Sequence, residues 1–481
     1  MDQQPLRYEK LAGELASMIA QRIFRPGDRL PSVRRLARDK KLSVSTVLQA
    51  LRQLEERGQI EARPQSGFFV RLPAPHQNPQ LVPHTRLHLA HPVAVDISSR
   101  LKRVLDLNNR IEMVPLSAAL PATELQPIAH LQRHFSMVGR RFGTLTGVIN
   151  YSTLNRADLV RQFIRDSLTW GQPMAADEIV VTNSCTEALS LCLRAVTRPG
   201  DTVAVESPSY YLMLQLLELL GLKAMEIPTH PRHGISVDAL EIATRERRIA
   251  ACLLVSNFSN PLGSLVPDHE KKRLADLMAA RQIPIIEDDI FGNLHFGPDR
   301  PWPVKSFDTT GNVMLCSSLS KSLSPSLRLG YVAAGRFYAA VMMQKTLTSG
   351  LTNPVAQEVV ARYLESTAYG RHLRSLRRAY ETQVLQMSEA VLRYFPEGTR
   401  LSQPQGGLVL WVELPFAINT AVLFEHAVNV GIAFVPGDLF SANGNYRNCL
   451  RLNCGNPWSP RFDAAIKQLG MLATSILSSS P

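Results

Sequence analysis

Cysteine is scarce and scattered: six residues in 481, at 185, 192, 252, 316, 449 and 454, with no CxxC pair. That spacing argues against a disulfide scaffold or a zinc cluster and reads as the reduced thiols of a cytosolic protein. Long apolar runs are missing as well. Nothing approaches membrane-spanning length, and the opening MDQQPLRYEK has no signal-peptide core, so a cytoplasmic location is expected. Acidic charge is in short supply, 41 Asp and Glu against 53 Lys and Arg, for a net charge of +12. The shortfall is uneven. Residues 1–72 carry 14 Lys and Arg against 8 Asp and Glu, so half of the excess lies in less than a sixth of the chain. A basic module on a nearly balanced body points to nucleic acid, or more blandly to a solvated basic face.

What is present begins with length. A chain of 481 residues is too long for one core and is expected to form two or three domains. In residues 1–72, Leu11, Leu15, Met18 and Ile19 form one apolar helical stripe, which the RPGDRL turn ends. PSVRRLARD opens a second helix with Ser32 as N-cap and Val33, Leu36 and Ala37 inward. SVSTVLQALRQLEERG gives a third, with Val44, Val47, Leu51 and Leu54 as its stripe and Gly58 as its stop. The opposite face offers Ser45, Thr46, Gln49 and Arg52, polar groups suited to phosphates and base edges. IEARPQSGFFV then reads as strand, turn at Pro64–Gly67 and strand, a hairpin wing. Three short helices and a wing are the geometry by which a helix enters the major groove.

Residues 73–115 are expected to be a connector: five prolines in the first twenty residues make a semi-rigid spacer, and VAVDISSRLKRVLDLNNR an amphipathic docking helix. From 116 to 481, short apolar runs alternate with longer helical patterns. EIVVT (178–182), TVAVES (202–207), ACLLVS (251–256), IPIIED (283–288) and VMLCSS (313–318) read as buried strands separated by helices. This is an α/β pattern with a mostly parallel sheet covered on both sides, where ligands bind beyond the carboxyl ends of the strands.

Polar residues gather at those ends. Asn183-Ser184-Cys185-Thr186 leads into a helix, whose free N–H groups make a phosphate cup. Pro208-Ser209-Tyr210 offers a ring to stack on a planar ligand, and Asn260 an amide for a phenolic oxygen. Glu287-Asp288-Asp289 ends the fourth strand, where a buried carboxylate can pair with a pyridine nitrogen. In LCSSLSKSLSPSLRLGY (315–331), Lys321 lies among small hydroxyl residues, three after Ser318 and seven before Arg328. A lysine poised to lose its proton condenses with a carbonyl, and a serine and an arginine suit a phosphate; an aldehyde with a phosphate tail is pyridoxal 5'-phosphate (PLP). Singly, each of these residues also fits an ordinary loop, turn or strand end.

Two resemblances organise these features. Residues 8–70, above all PGDRLPSVRRLA and RPQSGFFV, resemble the DNA-binding domain of GntR-family regulators. The resemblance implies contacts to double-stranded operator DNA from Arg34, Ser45, Thr46 and Arg52, with Gly67 at the wing tip and Arg35 and Arg63 as further candidates. The succession of strand-end residues resembles fold-type I aminotransferases over about 116–475, with a large mostly parallel subdomain and a smaller C-terminal α+β one. It implies that Lys321 bonds the PLP aldehyde, Asp288 holds the ring nitrogen, Tyr210 stacks on the ring and Asn260 bonds its 3'-oxygen. It further implies that Ser184, Cys185, Thr186, Ser318 and Arg328 hold the phosphate, that Tyr151 reaches the phosphate of the other subunit of a homodimer, and that Arg451 binds a substrate or effector carboxylate. One residue departs from that pattern: Phe291 stands where such enzymes commonly have a tyrosine that bonds the 3'-oxygen. The whole arrangement resembles the MocR subfamily of bacterial transcription regulators, which implies a regulator whose aminotransferase-like domain senses PLP or an amino compound, in a homodimer that is head-to-tail in the subfamily. The alternative is a working aminotransferase with an appended DNA-binding domain.

Overall fold

A computed structural model describes residues 7–20, 24, 28–56, 59–63, 67–70, 81–85, 91–108, 110, 112–140, 155–246 and 248–479. The chain divides into two compact units, Met1–Gln80 and Leu81–Pro481.

In the first unit, helices α1 (Arg7–Ala20), α2 (Val33–Lys40) and α3 (Val44–Glu56) precede a hairpin of β1 (Ile60–Arg63) and β2 (Gly67–Val70). Ser32 caps α2, its hydroxyl accepting from the Arg35 amide at 3.3 Å. Leu11 and Leu15 of α1 meet Leu36 of α2 and Val47, Leu51 and Leu54 of α3, and Ile60 and Val70 close the core from the hairpin. Two details differ from the sequence expectation. Val44 is 49% exposed rather than inward. It is the first residue of α3, capped by the Ser43 hydroxyl on the Thr46 amide at 3.1 Å, and Val47 one turn later takes the core position. The RPGDRL segment also does more than turn. Arg29 bridges to Phe69, and the Leu30 amide donates to the Phe68 carbonyl at 2.9 Å, which gives the wing a third edge. Pro64 to Ser66, Gly58 and the Arg63 side chain lie outside the described residues.

The second unit opens with β3 (Val93–Ala94), a helix over Ser98–Asn108 and β4 (Val114–Pro115). Its large sheet contains β5 (Ile179–Thr182), β6 (Thr202–Ser207), β7 (Lys223–His230), β8 (Gly234–Ile235), β9 (Ala251–Leu254), β10 (Ile285–Asp288), β11 (Val313–Ser318) and β12 (Gly330–Ala333). The spatial order is β3-β7-β6-β9-β10-β11-β12-β5, with β8 paired to β7. Pairing from β7 through β11 is parallel. The short strand β12 runs antiparallel to both β11 and β5. All five expected strands are present, two with the expected bounds (202–207 and 313–318) and three trimmed; β3, β7, β8 and β12 of this sheet were not anticipated. A smaller sheet, β13 (Arg400–Leu401), β14 (Val409–Glu413), β16 (Val435–Pro436) and β17 (Cys449–Asn453), is antiparallel, while β15 (Ile432–Ala433) pairs with β4. Among the described residues no helix is long and apolar enough to cross a membrane, and no group of side chains could hold a metal ion.

Leu51→Ala is expected to cost about 2–5 kcal/mol, because Leu51 is fully buried in a small core. Hydrogen exchange should then accelerate across residues 7–70 while the strands of the large sheet keep their protection. Equal loss in both units would mean that the first does not have a core of its own.

Candidate cofactor site and nucleic-acid face

On the first unit, Arg34, Arg35, Ser45 and Arg52 are exposed and Thr46 is half-buried. The Ser43 hydroxyl ties Ser45 and Thr46 together, at 2.8 and 2.7 Å. Arg35 spends part of its charge on Asp39 at 3.5 Å, a contact that is weak at such exposure. Gly67, exposed at the start of β2, has φ +100°, a conformation open to glycine at little cost. These are side chains of the kind that meet phosphates and groove edges.

In the second unit the strand order decides the site. Between β11 and its antiparallel return β12 lies the loop carrying Lys321 and Arg328, and β12 runs on beside β5, whose carboxyl end leads into the helix Cys185–Val196. Gly330 permits the closure: a Cβ there would lie 2.7 Å from the Ser184 carbonyl carbon and 3.0 Å from the Cys185 nitrogen. The result is a cavity of about 260 Å³ lined by Ser184, Cys185, Thr186, Tyr210, Asn260, Asp288, Ser318, Lys321 and Arg328, together with Phe291. The sequence-expected cofactor residues are therefore brought together, Arg451 adjoining through Asn260. Tyr151 is outside the described residues.

Burial sets the charges. The Lys321 ammonium donates to the Ala119 carbonyl at 2.6 Å, and desolvation, helped by the Arg451 guanidinium, lowers its pKa to about 8. Desolvation pushes Asp288 up to about 6, opposed by bonds from the Cys185 thiol at 3.3 Å and the Ile290 amide at 3.1 Å. Ser184 caps its helix by accepting from the Glu187 amide at 3.1 Å, leaving the first-turn amides at the cavity edge. Thr186 and Arg328 are exposed at the rim, and Arg328 is held in left-handed backbone at φ 48°.

Arg451, fully buried on β17, donates to the Asn260 side-chain oxygen at 3.3 Å and to the Ser117 carbonyl. Its Nε has no partner, and among the described residues no carboxylate pairs with it. The structural ion pair that would explain such an arginine blandly is thus missing. Phe291 is 2% exposed and packs with Ala119, Phe258 and Tyr380, presenting ring edges and no hydroxyl.

Around the cavity, Tyr211, Tyr380 and Glu206 were not singled out from the sequence, and Asp289 was named without its partners. Tyr211 adjoins Tyr210, with ring centroids 4.7 Å apart, and also lies under the Arg451 guanidinium at 5.6 Å. Tyr380 bonds the Lys321 carbonyl at 3.3 Å. Asp289 turns away from the cavity to bind Asn257 at 2.8 Å and Arg300. Glu206 is buried on β6, and desolvation raises its pKa to about 8. Glu206 carried a usable signal, a carboxylate inside the apolar run TVAVES; the contacts of Tyr211 with Arg451 and of Tyr380 with Lys321 depend on chain returns far apart in sequence.

The donor set fits a phosphorylated aldehyde that also bears a ring nitrogen: a lysine of lowered basicity, a buried carboxylate, and a helix N-terminus with hydroxyls, held against the lysine loop by the close backbone approach at Gly330. Comparison with known proteins agrees. Residues 151–467 match the model for aminotransferase class I and II, and residues 7–70 that for bacterial regulatory proteins of the gntR family. The chain belongs to the aminotransferase class I and II family, joined to a gntR-family domain. This is the MocR-like architecture, and the cofactor of the aminotransferase-like domain is PLP. The uncharacterized HTH-type transcriptional regulator YjiR of Escherichia coli is 38% identical over 96% of this chain and 98% of its own length. A second such regulator from that organism, YdcR, is 36% identical over 97% of this chain and 98% of its own length. Among solved structures, the α-aminoadipate aminotransferase LysN of Thermus thermophilus superposes with a TM-score of 0.72 at 27% identity, covering 79% of this chain and 96% of that one. The chain is a DNA-binding transcriptional regulator with an aminotransferase-like domain.

Uptake of PLP by the cofactor-free protein should follow the neutral fraction of Lys321, rising about tenfold per pH unit below about 8 and levelling above it. Stopped-flow absorbance checks this. The same shift bears on stability: the folded state binds fewer protons than the unfolded one between about 8 and the usual lysine value, so this group's contribution rises with pH across that window.

Proposed function

We propose that the aminotransferase-like domain is the sensory half of a homodimeric regulator, which responds to PLP, an amino compound, or both, by changing the placement of its two DNA-binding heads. The observation that carries this reading is the coupling in one chain of a winged helix with an exposed polar recognition face and a cavity with an amine of lowered basicity. A ligand shifts such an arrangement only through unequal affinity for its two states. DNA as partner in turn implies action in the cytoplasm.

In this reading bound PLP supplies an aldehyde that condenses with amines and a ring that withdraws electrons. Lys321 is its attachment point, and its lowered basicity supports that role. Asp288, near half-ionised at pH 6 and increasingly charged above it, holds a proton on the pyridine nitrogen. Tyr210 would stack on the ring and Asn260 would donate to the 3'-oxygen. Ser184, Cys185, Thr186, Ser318 and Arg328 would hold the phosphate, joined by Tyr151 of the partner subunit. Arg451 receives the carboxylate of the amino compound; its unpaired Nε supports this. Arg34, Arg35, Ser45, Thr46, Arg52 and Gly67 meet the operator.

Residual transamination is a second reading, supported by the joint presence of Lys321, Asp288 and Arg451. Phe291 weighs against efficient turnover, because it withdraws one hydrogen bond from the cofactor ring. Mixing the PLP-loaded protein with a panel of amino acids and keto acids, while following both absorbance and operator affinity, separates the two. Sensing predicts a change in operator affinity with little keto-acid release; steady release at enzyme-like rates with unchanged operator affinity would sink it.

Two substitutions test the assigned residues. Lys321→Ala should abolish the absorbance shift seen when PLP joins the protein and leave the fold intact; an unaltered spectrum would move the attachment point elsewhere. Arg52→Ala should weaken operator binding by about 1–3 kcal/mol if it reads a base edge. If it meets only phosphate, the loss is uniform across sequences and the salt slope falls by about one.

A further inference from the structure

Beyond the ends of β10 and β11, next to the cofactor cavity, lies a second and larger cavity of about 520 Å³. Strand alternation separates the two. Asp288 lines the cofactor cavity and Asp289 the second, while Ile290 and Ser318 border both. One wall is the helix Thr367–Tyr394, which contributes Arg374 and Arg377; another is the helix Ala157–Ser167, which contributes Arg165.

The state of these arginines is unusual. Arg374 and Arg377 are three residues apart on one helix face, where like charges repel. Among the described residues none of the three has a carboxylate within ion-pair distance. Arg165 donates to the Leu364 carbonyl at 2.7 Å and Arg377 to the Asn293 carbonyl at 2.8 Å, which uses one nitrogen of each. Arg374 has no partner among the described residues and is exposed at the rim. Burial holds the Arg377 pKa below its usual value, with the neighbouring Arg300 and Arg374 charges acting in the same direction. The carboxylates of this cavity relieve them only in part: Asp289 is engaged by Arg300, Asp166 acts on Arg377 through space while accepting from Asn293 at 2.9 Å, and Asp299 lies exposed. His295 has its pKa lowered by burial and adds no charge near neutrality.

We propose that this cavity is a second ligand site, separate from the cofactor's, for a small anion bearing a carboxylate or phosphate group seated between Arg374 and Arg377. The guanidinium forks present paired donors to such a group. Shared walls give the site its consequence: a ligand there presses on Ile290 and Ser318, and so reaches the cofactor cavity without entering it. This assignment stands apart from the sensory reading above, because it concerns other side chains.

The test uses the full chain saturated with PLP, so that the cofactor's phosphate cup is filled, at fixed ionic strength. Inorganic phosphate and succinate are titrated in separate arms by calorimetry. At least one should bind saturably, and Arg374→Gln should weaken it tenfold or more. Arg371→Gln, the same charge change on the same helix but outside the cavity, should leave it unchanged. Arg374 and Arg371 are both exposed, so neither change threatens the fold. Saturation by phosphate alone assigns a phosphorylated ligand, and by succinate alone a carboxylate. Failure of both probes to saturate, or equal weakening by the two substitutions, or none by Arg374→Gln, overturns the proposal.

Discussion

The close approach of β12 to the start of the helix Cys185–Val196 is the constraint on which the site depends. Because Gly330 has no side chain, its strand lies against the Ser184 and Cys185 backbone and is bonded on both edges, to β11 and to β5. The loop between β11 and β12 is thereby stretched over a helix N-terminus. Lysine, arginine and free amides then surround one volume, although they are separated by more than a hundred residues of chain. A single methyl group at this point would push apart groups whose usefulness lies in converging.

Enclosure then gives the converged groups their chemistry. Lys321 and Asp288 are shifted toward neutrality by the same cause, loss of water, and each partly opposes the shift in the other. Neither pKa would be unusual on the surface. Placed in one cavity, they leave an amine and a carboxylate that both change charge within reach of physiological pH. The winged helix uses the opposite strategy: its arginines stay exposed to water, where contact with a polyanion would release counterions.

Legibility in the sequence followed range. The helices of the first unit and the five apolar strands are local patterns, and they stand where periodicity puts them. The residues that line the smaller cavity were readable because most of them lie at or soon after a strand end, and strand ends of a parallel sheet converge by topology. What could not be read depends on distant returns. The strand β12 looks like a tail of the lysine loop until its partners are known, and Tyr380 reaches Lys321 from a helix some sixty residues further on. Val44 fell out of its stripe because a helix start projects its first side chain past the core. The second cavity is formed by two helices and two strand ends, so no continuous segment announces it.

The buried guanidinium of Arg451, whose Nε has no partner, bears on the proposed sensing of a ligand. A buried cation with no carboxylate within ion-pair distance among the described residues carries a desolvation cost on the order of several kcal/mol even after relaxation, offset in part by its bonds to Asn260 and Ser117. In the proposed sensory reading, a carboxylate entering the cavity would offset part of that cost. Much of the free energy separating filled from empty domain would then come from neutralising a charge already in place, and recognition would depend more on one negative charge than on the rest of the molecule that carries it.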